Sequence, residues 1–332
     1  MYRRIALAAP FLIAGSGAFA QSSVTMSGYL DAGVYRDSAG TWNVGPIQRS
    51  NIAFSGVEDL GNGLAATFML SHRFETDTGE NESSNKPYFH GESTVGLKGG
   101  FGSIRLGRAL DAMYGQDWQF DPWGYFDRVA SPAWDLWHYN YPSDPFANRG
   151  GPDYGRINNG VFYDSPTYEG FSIHLSTAAR ENTRTSGFAP AEAMPLNSGT
   201  STQPYGVSLN YNKGPFAAMV AHERNSVGNT DTFIGLKGSL GNLTAMAAWD
   251  RSVAGTSTAR TVTAGLQYTI GPAMLRGGWG KVVVDGTRVE QVIGAGANYF
   301  LSKRTSLYVD LARKNYVTKN STVYGVGMAH SF

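Results

Sequence analysis

Apolar and polar residues alternate in many short stretches along almost the whole chain. In the stretch YGVSLNY, for example, Tyr205, Val207 and Leu209 alternate with Gly206 and Ser208. A period of two residues is typical of a β-strand with one apolar and one polar face. The same pattern recurs in FSIHLS, TVTAGLQYT and SLYVDLA, so the sequence predicts an all-β fold.

Sixteen such runs can be placed, beginning near residues 23, 49, 64, 88, 102, 156, 171, 204, 216, 230, 243, 260, 273, 288, 305 and 321. Each has room for the about 9–11 residues with which a tilted strand crosses a membrane. Short turns alternate with other connections, several of them longer, near 37–48, 76–87, 110–155 and 181–203. Short turns at one end and long loops at the other are typical of outer-membrane barrels.

A β-sandwich or a propeller is the soluble alternative. Sixteen long strands in a sandwich would need more large apolar residues for the core, whereas here many apolar positions are Ala or Gly. A closed barrel has no unpaired edge and can span lipid, because every backbone polar group is paired. The sequence therefore favours a transmembrane antiparallel β-barrel of 16 strands.

The N-terminal segment has the features of a secretory signal. Arg3 and Arg4 precede an apolar stretch and an Ala-Phe-Ala motif that ends at Ala20. The apolar stretch is shorter than the about 20 residues of a membrane-spanning helix. We therefore expect a signal peptide over residues 1–20 and a single barrel domain over 21–332 in the outer membrane.

Charge and composition narrow the possible functions. Of the 27 Lys and Arg, two lie in the signal, which leaves 25 against 26 Asp and Glu. This balance argues against a nucleic-acid partner, which requires a basic excess. The absence of cysteine removes thiolate chemistry and disulfides, while 42 glycines and 13 % aromatic residues agree with a large β structure.

No catalytic or cofactor motif stands out. Neither G-x-S-x-G nor H-E-x-x-H occurs, and GNGLAA at 61–66 leads into another strand rather than a dinucleotide-binding helix. The six histidines show no metal-ligand spacing, so we interpret each as a polar residue of the surface or lumen. The sequence thus predicts no catalytic residue, no metal and no cofactor. A hydrolase with its site at the barrel rim is the less favoured alternative.

Several motifs together resemble one family over the whole mature chain: SSVTMSGYLDAGVY, SNIAFSGVEDLGNGLAATFML, STVGLKGGFGSIRLGR, RINNGVFYDSPTYEGF, YFLSKRTSLYVD and VGMAHSF. They resemble the trimeric general diffusion porins of Gram-negative bacteria, in the branch typical of β-proteobacteria. The resemblance implies a homotrimer of water-filled channels for passive diffusion of ions and small hydrophilic solutes. Outer-membrane lipid and lipopolysaccharide would surround it, and residues 75–86 lie where family members latch onto the neighbouring protomer.

In that family the third loop folds into the barrel and faces a cluster of arginines. The longest connection here, about 110–155, contains the aromatic and charged stretch QDWQFDPWGYFDRVASPAWDLWHYNY. A loop between barrel wall and water accommodates both residue classes. The resemblance and the strand alternation imply a pore constriction formed by Arg49, Arg73, Arg108 and Arg156 on the wall and by Asp111, Asp117 and Asp121 on the loop.

Two features depart from the family pattern. Asn51 stands where an arginine is usual, and we expect Arg49, two residues earlier on the same face, to substitute for it. The usual loop tip appears only as DPWGY. Tyr29, Asp31 and Asn51 are expected in the lumen. Opposite charges across the gap would create a transverse field with a weak preference for anions.

The tryptophans of the loop have two interpretations. Trp118, Trp123, Trp134 and Trp137 could offer ring faces to sugars or aromatic acids, which would make the channel substrate-preferring. The simpler interpretation is that they pack the loop against the wall.

Overall fold

A computed structural model describes residues 23–82, 86–145, 152–179 and 202–332 of the chain. The expected signal peptide, 1–20, lies outside the described residues, as does most of the expected loop 181–203.

The described chain is a closed antiparallel β-barrel. Its strands are, in chain order, β1 Ser23–Arg36, β2 Trp42–Gly45, β3 Ser50–Gly61, β4 Leu64–Phe74, β5 Glu92–Gly99, β6 Gly102–Leu110, β7 Arg156–Asp164, β8 Phe171–Ala178, β9 Tyr205–Lys213, β10 Phe216–Arg224, β11 Thr230–Leu240, β12 Leu243–Ala254, β13 Ser257–Ile270, β14 Ala273–Val284, β15 Thr287–Phe300, β16 Thr305–Tyr316 and β17 Asn320–Ser331.

Neighbouring strands pair in sequence order, and the sheet closes through β1 and β17, where Leu30 lies opposite His330. The short strand β2 does not add a seventeenth strand to the barrel. The first half of β1 pairs with β3 and the second half of β1 pairs with β2, so β2 and β3 together occupy one strand position. The predicted 16-stranded barrel is therefore confirmed.

Most strand starts agree with the sequence prediction, but β5 begins at Glu92 rather than near residue 88. Pro87 has no N–H for a strand ladder. The carbonyl of Tyr88 is bonded by the His72 ring at 2.5 Å instead of by a strand. Regular pairing resumes only where the Gly91 N–H donates to the Ser71 carbonyl.

The two faces of the barrel differ as the alternation predicts. Leu209, Leu236, Leu266 and Val309 are exposed on the outside, where the barrel meets lipid. Exposed aromatic rings lie beside the short turns, namely Phe216, Tyr268, Tyr299 and Phe300. An apolar band bounded by an aromatic girdle is typical of a membrane barrel.

The connection between β6 and β7, residues 111–155, is the third loop of the barrel, and we call it loop 3. It contains a short 3₁₀ helix at Asp117–Phe120 and a helix α1 at Pro132–Leu136. The Trp134 N–H donates to Ser131 Oγ at the N-terminus of α1, and Pro132 occupies the first helical turn. Within the described residues, neither loop 3 nor any other segment forms a helix long and apolar enough to cross a bilayer.

Loop 3 folds inward and packs against the inner wall. Thr261 Oγ1 donates to the Leu136 carbonyl at 2.7 Å, and Gln267 Nε2 donates to the Pro122 carbonyl at 2.6 Å. The wall admits the loop backbone where it has no side chain: a Cβ at Gly294 would lie 2.0 Å from the Ala130 carbonyl oxygen. Part of the high glycine content therefore serves close approach of loop 3 to the wall.

The substitution Gly294→Ala should push loop 3 off the wall. The added methyl group overlaps backbone rather than a flexible side chain, so we expect a loss of about 1–3 kcal/mol of stability. The thermal unfolding midpoint in detergent should fall, and single-channel current should become noisier. Gly277→Ala, on the neighbouring strand β14, is the control because its Cβ would meet no protein atom within 4 Å. Equal midpoints for the two variants would contradict this docking.

Candidate functional site: the channel constriction

Four arginines gather on one side of the lumen. Arg73, Arg108 and Arg156 lie on the inner face of β4, β6 and β7, and Arg49 immediately precedes β3. Their charges are close enough to repel one another. Arg49 and Arg156 both act on Arg73, and Arg49 and Arg108 both act on Arg156. The structure thus brings together the four arginines that the sequence analysis selected, and we call this side the basic wall.

The acidic partners of the basic wall are two carboxylates that the sequence analysis did not select, Glu82 in the loop between β4 and β5 and Asp153 near the end of loop 3. Arg49 Nε lies 3.0 Å from a carboxylate oxygen of Glu82, and Arg108 forms an ion pair with Asp153. Lys86 Nζ also contacts Asp153, at 3.0 Å. Five cations therefore face two carboxylates, Glu82 and Asp153, which leaves an excess of three positive charges among these seven groups.

Both carboxylates are held in the ionised form. Burial opposes ionisation of Glu82, but the hydrogen bond with His90 and the charges of the arginines lower its pKa below the usual range. The pKa of Asp153 is likewise lowered, since Arg108 and Lys86 outweigh the effect of its burial. At neutral pH both groups therefore count as negative charges, and the net excess on the basic wall is the three positive charges given above.

Arg73 is incompletely paired. Its side chain is buried, yet Nη1 has no hydrogen-bond partner among the described residues. No carboxylate oxygen in the described part of the chain lies within 4 Å of its guanidinium nitrogens. A buried donor without an acceptor is costly. Arg73 is therefore a buried cation whose hydrogen-bonding capacity the described residues satisfy only in part.

Opposite Arg49, loop 3 presents an aromatic ring. The guanidinium carbon of Arg49 lies 4.7 Å from the centroid of the Trp134 ring, and that of Arg128 lies 5.9 Å from it. Arg128 also pairs with Glu75 at 2.8 Å. These distances are within the range of cation–π attraction. The loop thus meets the wall through Trp134 and Arg128 rather than through a row of carboxylates.

The three loop aspartates chosen from the sequence lie elsewhere, beneath the loop. Asp111 accepts the N–H groups of Met113 and Tyr114, and Asp121 accepts those of Trp123 and Tyr125. Their contacts therefore hold the fold of loop 3 together.

Asp117 is bonded by the ring of His138, at 2.9 Å. Burial raises the pKa of Asp117 to about 6 despite this bond. None of the three aspartates forms an ion pair with the basic wall within the described residues. The structure therefore brings together the arginines but separates them from these carboxylates.

The three residues predicted in the lumen have different surroundings. Asp31 is buried, accepting the N–H groups of Ile47 and Gln48 at 2.7 and 2.8 Å and the hydroxyl of Tyr308 at 2.6 Å. The Tyr29 hydroxyl donates to Gln48 Oε1 at 2.5 Å. Asn51 is only partly buried and lies between Tyr29 and Arg73 in the sheet register.

The four tryptophans of loop 3 fall into a buried pair and a more accessible pair. Trp123 and Trp137 are buried, with their Nε1 atoms donating to Asp310 at 2.6 Å and to Thr263 at 3.1 Å. They fix loop 3 to the wall. Trp118, 49 % exposed, and Trp134 are the two whose rings remain accessible.

Sequence reasoning missed His138 altogether. Its interpretation as a polar surface or lumen residue is wrong, because it is 1 % exposed beneath loop 3. Its partners include Asp231 and Asp250, which are distant in sequence. The one sequence signal for these two aspartates is the strand alternation, which places both on the polar, inward face of β11 and β12.

A family model described as Gram-negative porin matches residues 6–319, most of the chain. The chain belongs to the Gram-negative porin family. This porin is similar to "Outer membrane porin protein 32" of Delftia acidovorans, with 29% identity over 92% of this chain and 88% of the relative. It is also similar to "Major outer membrane protein P.IB" of Neisseria meningitidis serogroup B, with 25% identity over 94% and 95%.

Solved structures share the fold. The anion-selective porin from Comamonas acidovorans aligns with a TM-score of 0.76 and 23% identity, over 94% of this porin and 100% of that chain. An OmpF from Salmonella typhi, solved with daunomycin, aligns with a TM-score of 0.68 and 16% identity over 93% and 97%. The protein is an integral outer-membrane porin, a water-filled channel for passive diffusion of ions and small hydrophilic solutes.

The substitution Glu82→Gln should destabilise this porin in a pH-dependent way. At pH 7 it removes charged hydrogen bonds worth about 1.5–3 kcal/mol. Because the folded pKa of Glu82 is lowered, its contribution is complete above the usual value of 4.5 and is lost as the pH falls through the lowered one.

The measurement is the difference in thermal midpoint between wild type and Glu82→Gln. It should be constant from pH 8 to pH 5 and shrink at more acid pH. Glu58→Gln, an exposed carboxylate beside a short turn, is the control and should change the midpoint little at any pH. A difference that grows on acidification would show that Glu82 is not held ionised.

Proposed function

We propose that this porin is an anion-preferring channel whose selectivity is set by the basic wall. The observation that carries the proposal is the excess of three positive charges around Arg73, whose Nη1 has no acceptor among the described residues. Four of the cations, Arg49, Arg73, Arg108 and Arg156, are those proposed for the constriction from the sequence.

Loop 3 strengthens this preference by covering acidic groups. The inner wall opposite carries five buried carboxylates, all beneath or beside loop 3: Glu223, Asp231, Asp250, Glu290 and Asp310. Covered carboxylates are withdrawn from the aqueous path. Of the basic wall, Arg49 and Lys86 keep 27 % and 25 % of their side chains exposed, while the other three arginines are buried behind them. A chain that is nearly neutral overall therefore presents a basic surface to a passing solute.

The mechanism is enrichment of anions near the basic wall. Like charges crowded beside a low-dielectric wall raise the local anion concentration, and salt screens this effect over a Debye length of about 10 Å at 0.1 M. An anion that reaches the exposed guanidinium of Arg49 exchanges part of its hydration for hydrogen bonds, while the buried arginines add to the attraction through their charge. The Comamonas acidovorans porin described as anion-selective has the same fold, which agrees with this proposal.

The double substitution Arg73→Ser and Arg156→Ser should move the reversal potential in a salt gradient towards cations. It removes two of the five positive charges and widens the gap, so single-channel conductance should rise as well. Arg288→Ser with Arg313→Ser is the matched control, because both side chains are exposed. The measurement is made in planar bilayers on each purified protein without ligand.

The outcome has two clear readings. A shift in the double variant that is absent in the control, and that diminishes at high salt, supports the basic wall as the selectivity element. An unchanged reversal potential and conductance would mean that Arg73 and Arg156 do not line the constriction.

We also propose that three copies assemble, surrounded by outer-membrane lipid and lipopolysaccharide. The exposed apolar band supplies the surface for lipid and for neighbouring protomers. Glu75 and Glu82, at the two ends of the described segment 75–82, pair with Arg128 and Arg49 of their own chain. A latch onto a neighbour would therefore use the exposed middle of that loop, Thr78 to Glu80.

Protein extracted in mild detergent should have the mass of three chains by light scattering, with lipopolysaccharide copurifying. Trimer bands should survive in unheated gel samples and disappear on boiling. The mass of a single chain at micromolar concentration would count against the trimer.

No catalytic role is proposed for this channel. The best-placed groups for a rim hydrolase are Ser172, His174 and Asp164, in line at 3.2 and 2.7 Å on the inner face. Asp164 is also bonded by Arg105 and Ser103, as expected of an ordinary lumen ion-pair network. Labelling of Ser172 by a serine-reactive phosphonate would overturn this assignment.

A further inference from the structure

Beneath loop 3 lies a buried group that we call the His138 cluster: His138, Asp117, Asp231 and Asp250. Loop 3 supplies His138 and Asp117, while β11 and β12 supply the other two. His138 Nδ1 lies 2.7 Å from Asp231 Oδ2 and 3.0 Å from Asp250 Oδ2, and Nε2 lies 2.9 Å from Asp117 Oδ2. Both ring nitrogens are therefore directed at carboxylates.

The cluster is dry and strongly acidic. All four side chains are inaccessible to solvent, and the rings of Tyr114 and Phe233 pack 4.1 and 5.8 Å from that of His138. Among the described residues, no Lys or Arg forms an ion pair with any of the four. Three carboxylates and one imidazolium would carry a net charge of −2, which is costly in an apolar environment.

A second observation points to a missing positive partner. One oxygen on each carboxylate, Oδ1 of Asp117, Asp231 and Asp250, is buried without a hydrogen-bond partner among the described residues. The Ser252 hydroxyl is also buried and unpartnered, directly opposite Asp231 in the strand register. Buried polar atoms are nearly always satisfied, and an ion is one of the recognised explanations when they are not.

We propose that the His138 cluster binds one divalent cation of the zinc class through His138 Nδ1, Asp231 and Asp250. Imidazole nitrogen and carboxylate oxygen are ordinary ligands of such ions. The ligand atoms all lie within 4.8 Å of one another. Tetrahedral ligands at zinc bond lengths lie about 3.3 Å apart, so the observed 2.7 and 3.0 Å need open by only a few tenths of an ångström.

Charge and proton bookkeeping agree with this assignment. A neutral imidazole, three carboxylates and a divalent ion sum to −1, against −2 for the imidazolium and three carboxylates without the ion. The Nε2–H of His138 then donates to Asp117, which fixes the tautomer that leaves Nδ1 free for the metal. A carboxylate in this position behind a histidine ligand is the usual arrangement around protein-bound metals.

The ion would fasten loop 3 to the wall. One ligand comes from the loop and two come from neighbouring strands of the barrel, so binding adds a cross-link at the far side of the constriction. The ligands lie beneath the loop and outside the basic wall, so the Co²⁺ test below can fail while the charges of the basic wall stay as they are.

The test uses the full chain, unfolded in urea with a chelator and refolded in detergent with or without Co²⁺. Wild type should retain one Co²⁺ per chain after gel filtration and show the visible absorption of a low-coordinate site. Asp231→Asn with Asp250→Asn should abolish retention, and Asp117→Asn should weaken affinity by about 10–100-fold. Asp164→Asn is the matched control, since it also removes a carboxylate that is bonded to a histidine, 2.7 Å from His174.

The wild-type protein alone tests the proposal even if a variant fails to fold. Stoichiometric Co²⁺ with that absorption, displaced by Zn²⁺, supports the site. Wild type that refolds fully and retains no Co²⁺, or a double variant that binds as wild type does, overturns it. In that case His138 is an imidazolium that donates hydrogen bonds to the surrounding carboxylates, and the NMR signals of its ring would be those of a protonated imidazole.

Discussion

Closure of the sheet is the constraint on which the rest of this porin depends. A membrane offers no hydrogen-bond partner to an exposed strand edge, so the pairing of β1 with β17 is what allows the chain to span lipid at all. Once the sheet is closed, successive side chains of each strand point alternately outwards to the lipid and inwards to the lumen. Leu236 and Val309 face lipid, while Ser208 and Asp250 are enclosed.

The wide polar lumen of the closed barrel is partly filled by loop 3. A 16-stranded lumen is too wide for side chains to fill, and carboxylates from several strands face into it. Loop 3 lies over the acidic part of this wall, bringing His138 to Asp231 and Asp250 and Trp123 to Asp310. Glycine at positions such as 294 lets the loop backbone approach this closely.

One consequence is that net charge is a poor guide to this channel. Asp and Glu nearly balance Lys and Arg in the whole chain, yet cations outnumber carboxylates on the basic wall, while five carboxylates lie on the wall that loop 3 covers. Loop 3 covers carboxylates of the opposite wall, whereas Arg49 and Lys86, beside the loop, keep 27 % and 25 % of their side chains exposed. On the basic wall, Glu82 and Asp153 offset the arginines only in part, and the anion preference proposed above rests on that excess of positive charge.

The sequence by itself determined the barrel and the place of its longest connection, because a period of two marks the strands and turn residues mark where they end. The period also fixes which way Arg73 points, whereas the choice of Arg108 and Arg156 and the inward fold of loop 3 came from the family resemblance. The partners were decided only by tertiary structure. Whether Asp117 meets an arginine or His138, and whether Glu82 reaches Arg49, depends on how two loops pack inside a closed barrel. No spacing in the sequence encodes that packing, because it brings together residues as distant as His138 and Asp250.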